Sequence, residues 1–136
     1  MMADIDVEEG GKSVDLTGKR VLVVEDELLI GLELEQSLTD AGCAVAGPVE
    51  SVDQAKELIA GAALDAALLD VNLNGRPVDE IAGLLADRDI PFAFATGWAA
   101  DNLPRPFADR PVLQKPFSPQ DVLAVLRLLL DRPSAV

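Results

Sequence analysis

The sequence predicts an α/β fold, a doubly wound parallel sheet of five strands with helices on both faces. Two observations carry that expectation. Short apolar runs bounded by turn residues alternate five times with stretches of helical spacing, and continuously apolar runs are how parallel strands buried on both faces read. These runs also end in polar residues, most plainly Ala66-Ala67-Leu68-Leu69-Asp70. The carboxyl ends of strands are where open α/β sheets place their ligands.

Taken in order, residues 1–18 hold five acids against Lys12. They offer too little apolar surface to offset ordering and are expected to form a mobile tail. Lys19 to Val24 reads as the first strand, closed by Glu25-Asp26-Glu27, and Leu28 to Ala41 as a helix stopped by Gly42. Cys43 to Val49 is a weaker second strand, ended by Gly47-Pro48. Ser51-Val52-Asp53-Gln54 has the form of a capping box opening a helix to about Ala62. The third strand runs from Asp65 to Asp70. Arg76-Pro77-Val78-Asp79-Glu80 is expected to start the next helix, with proline in its first turn and acids favoured by the helix dipole. Ile90 to Ala95 is the fourth strand, running into Thr96-Gly97. Pro104 and Pro106 forbid a long helix in the segment from Ala99 to Asp109, which should be a short helix or turn followed by irregular chain. Pro111 to Gln114 is a short fifth strand, and Ser118-Pro119-Gln120-Asp121 opens a last helix ending near Arg132. The (βα)₅ alternation implies right-handed crossovers and a flavodoxin-like strand order 2-1-3-4-5. Its switch point lies between the strands that end in Glu25-Asp26 and in Asp70.

Composition narrows the function. At 136 residues the chain is one domain with a real core, residues 19–132, followed by a short tail at 133–136. No apolar run approaches the ~20 residues of a membrane span, and the acidic start is unlike a signal peptide. A single cysteine, Cys43, forms no internal disulfide, which points to a reducing cytoplasm. The absence of histidine excludes histidine catalysis and histidine ligands. A formal net charge of −13 argues against nucleic acid and anionic membrane as partners.

The strand ends bring together Glu25 and Asp26, Asp70, Thr96 and Lys115. Three crowded carboxylates repel one another unless a cation sits among them. Oxygen donors without cysteine or histidine favour a hard ion such as Mg²⁺, with Mn²⁺ as a substitute. With a hydroxyl and an ammonium added, the set suits an aspartyl phosphate.

These residues resemble a response-regulator receiver domain: the acid pair Glu25-Asp26, the acceptor Asp70, the hydroxyl Thr96 and the Lys115-Pro116-Phe117 motif. The resemblance implies that Asp70 accepts a phosphoryl group from a histidine kinase or histidine phosphotransfer protein. It implies that Asp26 and Asp70 bind Mg²⁺ directly, Glu25 mainly through water, and the main-chain carbonyl of Asn72 as a further ligand. Thr96 and Lys115 then hold the phosphoryl oxygens. Phe94-Ala95-Thr96-Gly97-Trp98 is similar to the Phe-Ala-Thr-Gly-hydrophobic-Tyr signature of alphaproteobacterial single-domain receivers, some tied to general stress signalling. Ala99 stands where that signature has tyrosine, and Val112 where ordinary receivers carry a switching aromatic. Thr96, Gly97 and Trp98 are the switch candidates.

The implied function is a stand-alone receiver that signals through an unidentified downstream protein, with no output domain of its own, rather than an enzyme. Two alternatives compete with it. A Mg²⁺-dependent phosphohydrolase working through an aspartyl phosphate commonly needs an acid two residues after the nucleophile, and Asn72 occupies that place. A degenerate, unphosphorylated interaction domain has no need of the intact acid pair, Asp70, Thr96 and Lys115. Among the other residues, Trp98 is equally well read as a packing aromatic, Asp79 and Glu80 as helix-dipole residues and Cys43 as a small core residue.

Overall fold

The computed structural model describes residues 15–73, 75–97 and 103–131. The chain runs β1 (Arg20–Val24), α1 (Leu28–Asp40), β2 (Ala44–Val49), α2 (Val52–Gly61) and β3 (Ala66–Asp70). There follow β4 (Asn72–Leu73), β5 (Arg76–Pro77), α3 (Asp79–Asp87) and β6 (Phe92–Thr96). A 3₁₀ turn (Arg105–Phe107), β7 (Val112–Gln114) and α4 (Pro119–Leu130) complete the described elements.

Five of the strands form one parallel sheet in the order β2-β1-β3-β6-β7. Numbered along the whole chain this is 2-1-3-6-7, whereas the expected 2-1-3-4-5 counted the strands of the sheet alone. The difference has a physical cause: β4 and β5 pair antiparallel with each other, Asn72 opposite Pro77 and Leu73 opposite Arg76, instead of joining the sheet. The expected helix start at Arg76-Pro77 is therefore corrected. Those residues belong to the ribbon, and α3 begins at Asp79 with Val78 as its N-cap. Gly75, at φ +83°, makes the turn, and Asn-Gly is the dipeptide that most strongly favours tight hairpins.

The sheet alternates its side chains between two cores. Leu22, Val24, Leu69, Phe92 and Phe94 face α2 and α3, which bring Ala55, Ile59, Ile81 and Leu85. Val23, Leu68, Ala93 and Ala95 face α1 and α4, which bring Leu34, Leu38, Val122 and Leu126. Each such leucine or phenylalanine stabilises the fold by about 1.5–3 kcal/mol through burial. The two faces of β6 differ in bulk for a reason. Where a helix lies close over the sheet the strand offers Ala93 and Ala95. On the other face Phe92 and Phe94 fill the volume together with Phe107 of the 3₁₀ turn, whose ring meets Phe92 edge-on at 5.6 Å.

Helix starts follow local chemistry. Ser118 Oγ accepts from the Asp121 backbone at 3.1 Å and Asp121 Oδ2 accepts from the Ser118 backbone at 2.9 Å, a reciprocal cap with Pro119 in the first turn. Ser51 Oγ accepts from Gln54 N at 3.1 Å, but Gln54 Oε1 reaches back to Glu50 N instead of Ser51. Gly47-Pro48 does not end β2. It forms an irregularity that shifts the β1–β2 register and lets pairing resume at Val24–Val49. At φ +107°, a Cβ on Gly47 would stand 2.8 Å from Val23 O, so only glycine fits.

The expected tail also needs correction at its inner end. Leu16 is only 4% exposed and belongs to the core under α1 and α4. Gly18 N donates to Gly42 O at 2.8 Å, fastening the same segment to the end of α1. The tail residues 1–14 and 133–136, like Trp98, lie outside the described residues.

Candidate functional site

Parallel pairing sets the site. β1 and β3 are neighbours whose following connections diverge, because β2 lies beyond β1 and β6 beyond β3. Glu25 and Asp26 follow β1 directly, Asp70 ends β3 and Thr96 ends β6. Lys115 follows β7, its backbone N–H bonded to Thr96 O at 2.9 Å, and its peptide bond to Pro116 is cis. An open cleft of about 870 Å³ is lined by Asp26, Asp70, Thr96, Gly97 and Lys115, with Glu27, Asp79 and Pro104 on its walls.

Carboxylate oxygens of Glu25, Asp26 and Asp70 all lie within 4.8 Å of one another. The Lys115 ammonium sits beside them, 3.1 Å from Glu25 Oε1, 3.4 Å from Glu27 Oε1 and 3.7 Å from Asp70 Oδ2. Glu25 is the buried member: its side chain is fully covered, and its Oε2 accepts from the Glu27 backbone at 3.1 Å. Burial pushes the Asp70 carboxyl up to about 7, helped by a hydrogen bond to Glu25 and the repulsion of its charge, while Lys115 pulls the other way. Burial also works against the charged form of Lys115. Glu25, then Asp70 and Glu27, outweigh it and hold the ammonium above its ordinary value.

The donor set fits Mg²⁺ on an observation independent of any resemblance. Glu25 Oε1 is buried with no hydrogen-bond partner among the described residues; its 3.1 Å approach to Lys115 is an ion pair without hydrogen-bond geometry. A buried, under-satisfied carboxylate oxygen beside two more carboxylates is the environment a hard cation relieves.

Sequence reasoning placed Glu25, Asp26, Asp70, Thr96, Gly97 and Lys115, and the fold gathers them at one end of the sheet. Asn72 lies in β4, immediately beyond. Two residues escaped notice. Glu27 touches Lys115 across 88 positions of chain, a pairing no local spacing signals. Asp79, read as a helix-dipole residue, is in the first turn of α3 and also lines the cleft.

No family model matches the chain. Comparison of structures is decisive. The solution structure of SdrG from Sphingomonas melonis Fr1 is 44% identical, with a TM-score of 0.75, and the match covers 83% of this chain and 97% of that one. The chain belongs to the response-regulator receiver family. This receiver is also similar to the response regulator PhyR from Brucella abortus, at 28% identity and a TM-score of 0.74, over 93% of this chain and 53% of PhyR. A curated relative is the transcriptional regulatory protein PdtaR of Mycobacterium tuberculosis, 28% identical over 118 residues, or 84% of the receiver. The receiver spans 58% of PdtaR's length. Among the described residues no helix is long and apolar enough to cross a membrane.

Proposed function

We propose that this receiver is a phosphoacceptor switch of a two-component relay, taking a phosphoryl group on Asp70 and signalling by protein–protein contact. One observation carries the reading: at the switch point, Asp70 Oδ2 lies 3.7 Å from the Lys115 ammonium, within a cluster of three carboxylates. An Asp70 carboxylate oxygen attacks the phosphorus of a partner's phosphohistidine. The P–O bond to Asp70 forms as the P–N bond breaks, and the imidazole leaves with the electron pair. Asp70 attacks as the carboxylate, so the proton that burial favours must be gone. Glu25, Asp26, Asp70 and the Asn72 carbonyl would hold Mg²⁺, which when bound supplies the positive charge that offsets these acids and the incoming phosphoryl oxygens. Lys115 and the Thr96 hydroxyl then satisfy phosphoryl oxygens from the other side of the cleft.

The reading is of a signalling phosphoacceptor and not of an enzyme that turns over a separate substrate. The SdrG match, over 97% of that chain, supports a receiver role. The partners proposed are a histidine kinase or phosphotransfer protein upstream and a protein target downstream, in the stress-signalling branch to which Phe94-Ala95-Thr96-Gly97 points. Incubation with Mg²⁺ and acetyl phosphate, followed by intact-mass measurement, tests the core of this. Wild type should gain about 80 Da, the mass of one phosphoryl group, and Asp70→Asn should gain nothing. A stable adduct persisting in Asp70→Asn would overturn the assignment.

A further inference from the structure

We propose that Glu27 is a positioning residue that detains Lys115 away from the phosphoryl site and so weakens retention of the phosphoryl group. The inference rests on the phosphoacceptor reading above and concerns how strongly the site holds its ligand.

Lys115 is shared unequally among its neighbours. Glu25 Oε1 is nearest at 3.1 Å, Glu27 Oε1 accepts a hydrogen bond at 3.4 Å, and Asp70 Oδ2, the carboxylate oxygen the lysine faces on the phosphoacceptor, stands at 3.7 Å. Glu25 and Glu27 play different parts. Glu25 is completely covered and tied by its second oxygen to the Glu27 backbone, so it is a fixed counter-charge. The Glu27 side chain is 63% exposed and hangs from the first residue before α1, so it can release Lys115 at little cost. A phosphoryl group on Asp70 competes with Glu27 for one ammonium. The carboxylate at the mouth also repels the anion that replaces it. Both effects have the same sign: Glu27 favours the unphosphorylated state.

A half-exposed ion pair of this kind carries only modest energy. Removing the charge should therefore tighten binding of a phosphoryl mimic about two- to fivefold. Isothermal titration of beryllium fluoride at saturating Mg²⁺ reads this on the full chain. Glu27→Gln, which keeps size and hydrogen bonding, should show that tightening. Asp79→Asn is the matched control: it removes one negative charge from the same cleft, and among the described residues Asp79 forms no ion pair with Lys115. It should tighten binding distinctly less. In a Lys115→Ala background, Glu27→Gln should lose its advantage, since the two residues then no longer couple. An unchanged or weakened affinity in Glu27→Gln overturns the proposal. So does a gain matched by Asp79→Asn or retained without Lys115. Wild type that binds no beryllium fluoride would instead overturn the phosphoacceptor reading, and this proposal with it.

Discussion

Asp70 illustrates how a site residue opposes the fold that carries it. Its carboxyl titrates near 3.8 when unperturbed and is pushed up to about 7 by burial and by Glu25. The folded state therefore holds this proton more tightly than the unfolded state. Asp70's contribution to stability is complete below about pH 4 and is lost as pH rises through 7. Asp70→Asn, neutral at every pH, should raise the urea midpoint at pH 8 by the equivalent of about 2 kcal/mol: about 1.4 kcal/mol per pKa unit sets an upper limit of about 4 kcal/mol, and solvent in the open cleft roughly halves it. That advantage should shrink towards pH 4. Mg²⁺ should stabilise wild type at pH 8 and have little effect on Asp70→Asn. A wild-type midpoint at pH 8 equal to or above that of the variant would show that the acid cluster carries no strain. The sequence made this residue legible because a strand-ending acid needs only the strand to be placed. Glu27 was not legible, because its contact with Lys115 depends on how two loops meet in space.

At the scale of elements, the segment between β6 and β7 is the departure from regular alternation. Pro104, Pro106 and Pro111 break helical hydrogen bonding, and among the described residues, from Leu103 on, the chain makes a 3₁₀ turn with backbone bonds from Phe107 N to Pro104 O at 2.9 Å and Arg110 N to Phe107 O at 3.0 Å. Its attachment is by side chains. The Arg110 guanidinium lies 4.5 Å over the Phe92 ring and 5.5 Å over Phe107, a contact worth about 0.5–1 kcal/mol at a partly exposed site. Turn segments pinned mainly by side chains open at low free energy and are those that switches recruit. Mg²⁺ with beryllium fluoride should slow amide exchange at Phe107 and Arg110 by about fivefold or more, the size of a typical coupling between sites. Thr96→Ala should reduce the response and Asp70→Asn should abolish it. Slowing confined to α1 or α2 would place the switch elsewhere. From Leu103 on, the irregularity of this segment is readable from its prolines; residues 99–102 lie outside the described residues. The β4–β5 ribbon is signalled by Asn74-Gly75, but Pro77 with Asp79 and Glu80 close behind also describes a helix start.

Across the whole molecule, the sheet divides the interior into two cores whose residues come from alternate positions of the same strands. This much was legible because buried parallel strands and amphipathic helices write their burial into composition and spacing. Leu16 was not, since one apolar residue in an acidic stretch has no period to betray it. Yet it covers Cys43, a residue only 7% exposed whose thiol donates to Leu16 O at 3.5 Å.

That arrangement gives the protein a chemical stopwatch. The Cys43 thiol, whose pKa burial raises, reacts only as thiolate and only when uncovered. Its labelling by a disulfide reagent should therefore report how often the segment around Leu16 peels from the end of α1, separately from global unfolding. Leu16→Ala should quicken labelling about tenfold or more, consistent with the few kcal/mol lost when a buried leucine is truncated. A rate that tracks only the global urea midpoint would mean the segment never lifts by itself. Otherwise a single sulfur atom times the loosening of one corner, at the end of the sheet away from the acid cluster.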